Sequence, residues 1–240
     1  EGISGEAASL AGHLGLDNLV WIYDNNKITI EGNTTLSFSE DVATRFIAYG
    51  WNVTRVGDAN DLEMLSRALQ MAENEKQRPS LIIVDSHIAY GAPTKQDTHG
   101  AHGSPLGEEE IRATKQFYGW DPDKKFYVPE EVREYRLNAQ LRGQAQNREW
   151  NKLFEKYTVE FPDLASEIKT IENGRMPEGW DCCIPVFEPG ETISGRAASS
   201  TVLNAIAAKI PFMIGGSADL TPSTLTGLKD FSSFQKNKYE

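Results

Sequence analysis

Three apolar segments separated by helical patterns dominate the first half of the chain. Predicted strands cover residues 19–23, 51–56 and 80–85, and predicted helices cover residues 6–14, 42–49 and the stretch after Asn60. A strand that is apolar along its whole length, such as residues 19–23, is typical of a parallel sheet covered on both faces. The regular alternation of strand and helix predicts an α/β fold with a doubly wound parallel sheet.

The helix after Asn60 has a clear predicted start and a predicted buried face. Asn60 is expected to cap it, with Glu63 three residues later in the reciprocal position of a capping box. Its expected core-facing residues are Leu62, Leu65, Leu69 and Ala72.

The second half of the chain is predicted to be helical at first and then to contain a linker. Helices are expected at residues 108–117 and from 130 to about 157. Residues 162–190 lose periodicity and collect Pro and Gly, which indicates a linker between domains. A helix after Ser194 and a strand at residues 211–216 then predict a second αβ unit. The predicted organisation is a domain at 1–165, a linker at 166–190 and the start of a second α/β domain at 191–240.

Charge and composition exclude several classes of function. The formal net charge of −11 argues against a nucleic-acid-binding surface. No apolar run approaches the length of a membrane span, so no membrane association is expected. The two cysteines, Cys182 and Cys183, are adjacent and lack metal-site spacing, so we expect reduced thiols in a cytoplasmic protein.

The first candidate site follows the first predicted strand, at Asp24-Asn25-Asn26-Lys27-Ile28. Mg²⁺ and Ca²⁺ prefer oxygen ligands, and an Asn side-chain oxygen and a main-chain carbonyl two residues later can reach one ion. Asn and Asp also favour ordinary turns. The motif alone therefore favours a turn.

The second candidate site is a glycine-rich loop that holds His99 and His102. The loop follows the third predicted strand, and its histidines could donate protons or hydrogen bonds to an anionic substrate. They could also be exposed loop residues, or two ligands of a zinc site for which no further ligand cluster is evident. The density of glycine suits close approach to a ligand and slightly favours a functional loop.

The third candidate site is the segment GGSADLTPS at residues 215–223, with Arg196 about one helix upstream. Arg binds phosphate oxygens with a fork of donors, and Ser adds a hydroxyl group. A strand-ending turn and an exposed Arg would give the same pattern, and this reading is favoured for the motif alone.

Taken together, the three segments resemble the transketolase family of thiamine-diphosphate enzymes. The similarity extends over essentially all 240 residues. It is greatest in the blocks EGISGEAASLAGHLGLDNLVWIYDNNKITIEG, SFSEDVATRFIAYGWNV, THGAHGSPLG and GGSADLTPST. The signatures GxGxxG, GxxxxGK[ST], HExxH and GxSxG are absent from the sequence, so the common nucleotide-binding, protease and hydrolase classes lack support.

The resemblance implies a role for each matched residue. Asn26 and the main-chain carbonyl of Ile28 would bind a Mg²⁺ or Ca²⁺ ion. His102 would be the catalytic histidine between cofactor and sugar, and it would bind both. The other residues implied in cofactor binding are Glu1, Gly2, Asn26, Ile28, Ile30, Ile88 and Asp219, and those implied in substrate binding with His102 are Arg196 and Ser223.

The implied reaction transfers a two-carbon ketol unit from a ketose phosphate to an aldose phosphate, in the pentose phosphate pathway. The implied architecture is the C-terminal part of a pyrophosphate-binding domain followed by the start of a pyrimidine-binding domain. The implied assembly is a cytoplasmic homodimer whose subunits share active sites. Alternatives are an enzyme like dihydroxyacetone synthase and a non-catalytic truncated relative; an acetoin-type or deoxyxylulose-phosphate synthase fits less well.

Several family residues, among them the histidines of the family's first strands, have no counterpart in the sequence. The family's GDG motif, whose aspartate is a principal metal ligand, would precede Glu1. The glutamate that activates the aminopyrimidine would follow the GGSADLTPS segment. We therefore expect the polypeptide alone to be inactive and to bind thiamine diphosphate weakly.

Overall fold

The computed structural model describes residues 2–239 of the chain. These residues form two units. The first comprises residues 2–127 together with 235–239, and the second comprises residues 128–234.

Helices and strands alternate in the first unit, as the sequence pattern predicts. Its elements are α1 (Gly2–Leu14), β1 (Val20–Asn25), α2 (Val42–Ala48), β2 (Asn52–Val56), α3 (Leu62–Asn74), β3 (Ser80–Asp85) and α4 (Glu108–Phe117). Two 3₁₀ turns lie at Thr34–Leu36 and His99–Ala101. The elements of the second unit are α5 (Glu130–Glu160), α6 (Pro162–Glu172), α7 (Gly195–Ala207) and the short α8 (Thr221–Thr224).

The three strands form a parallel sheet in the order β1–β3–β2. Ser80 of β3 is in register with Val20 of β1 and with Asn52 of β2. The carboxyl ends of all three strands therefore reach the same edge of the sheet, where Asn25 lies beside Asp85. The predicted α/β fold with a parallel sheet is confirmed.

Helices cover both faces of the central strand. Leu81 and Ile83 of β3 pack in a cluster with α1 and α2, whereas Ile82 and Val84 pack in a second cluster with α3. This alternation follows from the two-residue period of a strand. Since both faces of β3 are buried, its continuous apolar run is explained.

Trp51, immediately before β2, joins α1 to the sheet. Its side chain is only 1% exposed, and its indole Nε1 donates a hydrogen bond to the carbonyl of Ala8 at 2.8 Å. Its ring packs against Trp21 and Phe46, with centroid separations of 4.9 and 5.2 Å. A large buried aromatic ring whose N–H is satisfied anchors the core on this face.

The apolar sequence of β1 is covered on one face only. Trp21 and Tyr23 are partly buried against the cluster with α1 and α2, but Ile22 on the other face is 62% exposed. The helix on that face, α3, packs over β2 and β3. The prediction that both faces of this strand are covered is therefore wrong for β1, which is an edge strand among the described residues.

The start and the buried face of α3 also differ from prediction. Asp61 is the N-cap, and its side chain accepts a hydrogen bond from the Met64 backbone at 2.8 Å. Asn60 instead donates its backbone N–H to Asp58. The predicted core residues Leu62 and Leu69 are 76% and 44% exposed; the buried residues of α3 are Ala68 and Ala72, and Leu65 is partly buried beside them.

The second unit begins with the long helix α5, which has no buried residue. Near its end a series of aromatic rings continues to the start of α6. Centroids are 5.1 Å apart for Trp150–Phe154, 6.1 Å for Phe154–Tyr157 and 5.1 Å for Tyr157–Phe161. Across residues 2–239, none of the helices has the combined length and apolar character needed to span a bilayer.

Two local predictions for the second unit are wrong. Residues 162–172 form α6 rather than irregular chain, with Pro162 at the helix start, where proline is favoured. Residues 211–216 form no strand, because the structure places no partner strand beside them in the described part of the unit. The helix after Ser194 is confirmed as α7, and the domain limits at 165 and 190 stay predictions.

Candidate functional site

The carboxyl ends of the three strands surround a cavity of about 620 Å³. Its lining includes Asn25 and Asn26 at the end of β1, Gly57 and Asp58 after β2, and Asp85 and Ser86 at the end of β3. Ligands in open α/β sheets bind beyond the carboxyl ends of the strands. The first predicted site therefore lies where this fold type places ligands.

Asn26 forms a compact turn after β1, as its alternative interpretation predicts. Its side-chain Oδ1 accepts a hydrogen bond from the backbone N–H of Ile28 at 3.0 Å. Its Nδ2 donates to a carboxylate oxygen of Asp24 at 3.2 Å. Lys27, between Asn26 and Ile28, has a φ of 61°, in the left-handed region. The turn fixes the orientation of the Asn26 amide, so a turn and a ligand role are compatible.

The loop after this turn closes on itself and leaves a main-chain oxygen available. Thr34 donates its N–H to the carbonyl of Lys27 at 2.9 Å, and Thr29 donates to Gly32 at 2.8 Å. Among residues 2–239 no described hydrogen bond reaches the carbonyl of Ile28. The side-chain oxygen of Asn26 and this carbonyl are hard oxygen donors, so their chemistry fits Mg²⁺ or Ca²⁺.

Asp85 at the end of β3 joins all three strands at the floor of the cavity. Its carboxylate accepts two hydrogen bonds from the Arg55 guanidinium of β2, at 2.8 and 3.0 Å, and one from Asn25 of β1 at 2.6 Å. The hydrogen bonds from Arg55 are the main cause that holds the pKa of Asp85 below its ordinary value. At a neighbouring position, Ser86 donates its hydroxyl to Asp24.

A second cavity, of about 1230 Å³, lies beside β1. Five of the predicted site residues line it: Gly2, Asn26, Ile28, Ile30 and His102. Its remaining lining includes apolar side chains of β1 and α2. The structure thus brings the start of α1, the turn after β1 and the histidine loop to one cavity with a mixed polar and apolar wall.

The histidine loop consists of successive turns. His102 lies directly after the 3₁₀ turn His99–Ala101, is exposed, and donates its N–H to the carbonyl of His99 at 3.0 Å. Ile88, at the start of the loop, is partly buried, and its carbonyl accepts a hydrogen bond from Asp97 at 3.1 Å. Ile88 is not among the residues that line either cavity described above, unlike Gly2, Asn26, Ile28, Ile30 and His102.

His87 is a residue of the strand-end cavity that the sequence did not single out. Its Nδ1 lies 2.8 Å from a carboxylate oxygen of Asp97, and both residues line the cavity. In the described part of the chain, no three His, Cys, Asp or Glu side chains come together as a metal-binding group. The signal for His87, Asp58 and Asp85 was their position directly after, or at the end of, a predicted strand.

The predicted substrate residues Arg196 and Ser223 meet within the second unit. Nη1 of Arg196 donates a hydrogen bond to the main-chain carbonyl of Ser223 at 3.2 Å. Arg196 lies in the first turn of α7, and the Ser194 side chain caps that helix. Asp219, with φ 66°, lies in the turn before α8. Glu1 lies outside the described residues.

Comparison with known proteins supports the resemblance. The family model described as transketolase, thiamine diphosphate binding domain, matches residues 1–177. A transketolase of Geobacillus stearothermophilus is 44% identical over 241 residues, which cover 100% of this chain and 36% of that protein.

Solved structures give the same result. Transketolase from Leishmania mexicana matches with a TM-score of 0.94 and 38% identity, covering 100% of this chain and 36% of that chain. A Pichia stipitis transketolase in complex with sedoheptulose-7-phosphate matches with a TM-score of 0.93 and 40% identity, covering 98% and 35%. The chain spans about a third of the length of these relatives. On the sequence blocks, the parallel fold and the family match, this chain belongs to the transketolase thiamine-diphosphate-binding domain family.

Proposed function

We propose that this chain is part of a transketolase that transfers a two-carbon ketol unit from a ketose phosphate to an aldose phosphate. The observation that carries the proposal is the convergence of Gly2, Asn26, Ile28, Ile30 and His102 on one cavity beside β1. These residues are distributed over positions 2–102 of the chain, and the fold brings them to one cavity. The sugar phosphate in the complex of the Pichia stipitis relative supports a sugar phosphate as substrate here.

Asn26 and Ile28 would hold the metal ion that binds the diphosphate. Their contribution is the Asn26 side-chain oxygen and the Ile28 main-chain carbonyl, with Mg²⁺ or Ca²⁺ as the ion. Gly2, Ile30, Ile88 and the neighbouring Glu1 would contact the cofactor. When bound, thiamine diphosphate supplies the carbanion chemistry that the reaction needs.

We assign His102 a role on the substrate rather than a role in holding the protein together. It is exposed at the wall of the cavity beside β1, on a loop of short turns. We assign it hydrogen bonding and proton transfer at the sugar oxygens, the usual tasks of an accessible histidine.

The second unit would supply the residues that recognise the phosphate. The Arg196 guanidinium is exposed and uses Nη1 for the Ser223 carbonyl, so its other donors can bind phosphate oxygens. Asp219 would lie near the cofactor. We assign residues 1–165 to the pyrophosphate-binding domain, 166–190 to a linker and 191–240 to the start of the pyrimidine-binding domain.

We further propose a cytoplasmic homodimer with active sites shared between subunits. The free, exposed thiols of Cys182 and Cys183 support a reducing compartment. A sedimentation-equilibrium mass of one protomer would contradict the dimer. A dihydroxyacetone synthase-like enzyme and a non-catalytic relative are less well supported, because the curated relatives and solved structures described above are transketolases.

The proposal is tested by a transfer assay on the natural protein that contains this chain, with thiamine diphosphate, Mg²⁺ and a panel of ketose and aldose phosphates. We expect two-carbon transfer, and His102→Ala should lower kcat/KM by about 10²-fold or more because it removes the proton-transfer group. His99→Ala, in the same loop but outside the cavity lining, is the matched control and should change kcat/KM far less. No transfer with any pair, or equal effects of the two variants, would contradict the proposal.

A further inference from the structure

Glu110 joins the first turn of α4 to a segment well before it in the chain. Its Oε1 accepts hydrogen bonds from the backbone N–H groups of Thr94 at 2.7 Å and Lys95 at 2.9 Å. Its Oε2 accepts a third from the Thr94 hydroxyl at 2.9 Å. The donors lie 16 and 15 residues before Glu110. One carboxylate therefore closes the intervening chain into a loop.

This use of Glu110 departs from the usual behaviour of a glutamate at its position. At the third residue of a helix, a glutamate commonly reaches back to the N-cap backbone in a capping box. Here the N-cap is Gly107, with no side-chain cap, and Glu110 bonds across to the other end of the loop. The Thr94 backbone hydrogen bond is the main cause that holds the pKa of Glu110 below its ordinary value.

A series of hydrogen bonds leads from Glu110 to Ala101, the residue before His102. Lys95, held by Glu110 through its N–H, accepts at its carbonyl from the Thr98 hydroxyl at 2.8 Å. The Thr98 carbonyl accepts from Ala101 at 3.1 Å, within the turn that His102 completes. The turn that precedes His102 is therefore hydrogen-bonded back to the segment that Glu110 holds.

The chain on the other side of His102 has little restraint of its own. Gly103 and Gly107 have φ values of 82° and 94°, a region that glycine enters readily. A Cβ atom at either glycine would meet nothing within 4 Å. Without a tie between its ends, a segment of this kind would sample many conformations.

We propose that Glu110 is a positioning residue for His102, which it holds in place by closing the base of the histidine loop. The inference rests on the proposed function, in which His102 acts on the substrate. Glu110 itself is not among the residues that line either cavity described above. Its effect on the reaction is expected to pass through the loop alone.

Amide hydrogen exchange on the full natural protein tests the loop closure without reference to activity. Glu110→Asp keeps the charge at the helix start but shortens the side chain, so exchange at Ala101 and His102 should accelerate by about tenfold or more. Glu110→Gln keeps the length and one accepting oxygen and should retain most of the protection. Glu109→Ala, an exposed glutamate in the same turn, is the matched control and should leave loop exchange unchanged.

A double-mutant cycle tests the connection to His102. Glu110→Asp should lower kcat/KM for two-carbon transfer by about tenfold to 10²-fold, with Glu110→Gln closer to wild type. In the His102→Ala background, Glu110→Asp should cause no further loss, because the group that it positions is absent. Full additivity of the two losses would overturn the proposal.

The exchange data distinguish this proposal from the proposed function. Accelerated loop exchange in a protein that performs no two-carbon transfer would refute the proposed function and leave Glu110 as the closure of the loop. Unchanged exchange in Glu110→Asp, or greater exchange in Glu110→Gln than in Glu110→Asp, would refute the closure itself. Glu110→Asp and Glu110→Gln are both conservative substitutions, so both variants are expected to fold. Their melting temperatures verify this.

Discussion

The two units of the chain bury their apolar residues in different ways. In the first unit, both faces of β3 are covered, and four of its six residues are apolar and buried. In the second unit, the 31-residue helix α5 contains several large apolar side chains but no buried residue. A helix that buries so little depends on its own hydrogen bonds and on neighbouring side chains, whereas β3 is fixed by tertiary packing.

This difference has a consequence for where function can be fixed in space. The turn of Asn26 and the carboxylate of Asp85 extend directly from strand ends that a buried core supports. Binding residues are positioned more precisely when rigid, well-packed elements support them. Matched substitutions in the two units measure how much tertiary packing contributes to the stability of each unit.

The largest expected effect is the loss of a core tryptophan. Trp51→Ala should destabilise the first unit by about 3–5 kcal/mol, because it leaves a cavity and removes the hydrogen bond from the indole to the Ala8 carbonyl. Trp150→Ala, in α5, removes a 51%-exposed ring stacked on Phe154 and should cost about 1 kcal/mol or less. Native-state hydrogen exchange at β3 and α5 measures each loss locally, and equal losses would refute the contrast.

A glycine in α1 should be the next most sensitive position. A Cβ at Gly12 would lie 1.9 Å from the Tyr49 carbonyl oxygen, so α1 would have to move away from the segment after α2. Gly12→Ala is expected to cost about 1–3 kcal/mol despite the better helix propensity of alanine. Exchange at β3 and the melting temperature measure this loss. A stabilised variant would show that α1 is not closely packed here.

The sequence was sufficient where a single local signal decides the structure. The bounds of α4 agree with the predicted residues 108–117, and β3 agrees with the predicted 80–85. Other positions offered two equivalent local solutions. Asn60 and Asp61 can both cap a helix, and the choice of Asp61 leaves Asn60 to donate to Asp58 instead. Such a choice depends on the exact position of the chain after β2.

Features that require knowledge of partners could not be predicted. Residues 211–216 are apolar enough for a strand, but a strand needs a neighbour, and the described part of that unit offers none. Ile22 is exposed because α3 packs over β2 and β3 and not over β1. The sequence of β1 alone carries no information about where α3 packs. In the site, Arg55 and Asp85 are 30 residues apart and meet only through the strand register. The turn at Asn26, by contrast, was predictable because its contacts are local.

The strand-end carboxylate predicts an acid-dependent loss of stability in the first unit. The pKa of folded Asp85 lies below its ordinary value, so its stabilising contribution is present at neutral pH and is lost as the pH falls below about 4. Since Arg55 is 59% exposed, solvent screens the charge attraction, and Asp85→Asn should cost only about 1–2 kcal/mol at pH 7.

Other carboxylates also have lowered pKa values, so the comparison must be between variant and wild type. The difference in β3 exchange stability should shrink as the pH falls through the depressed pKa of Asp85. A constant difference across that range would contradict the role of ionised Asp85. Glu149→Gln, which removes an exposed ion pair with Lys152 in α5, is the control from the second unit and should change α5 stability by no more than about 0.5 kcal/mol at any pH.

A small expected effect of the opposite sign lies in α5. A Cβ at Gly143 meets nothing within 4 Å, so Gly143→Ala adds no clash. It also lowers the backbone entropy of the unfolded chain, which favours the helix. The variant should stabilise α5 against local opening by about 0.5–1 kcal/mol, measured as slower amide exchange along the helix. A glycine-to-alanine change is thus expected to stabilise α5 at Gly143 and to destabilise α1 at Gly12. Of these two glycines, only Gly12 has a backbone neighbour within contact distance of the added Cβ. A destabilised Gly143→Ala variant would indicate that this side of α5 is covered in the natural protein, and its apolar side chains would then be packed rather than exposed.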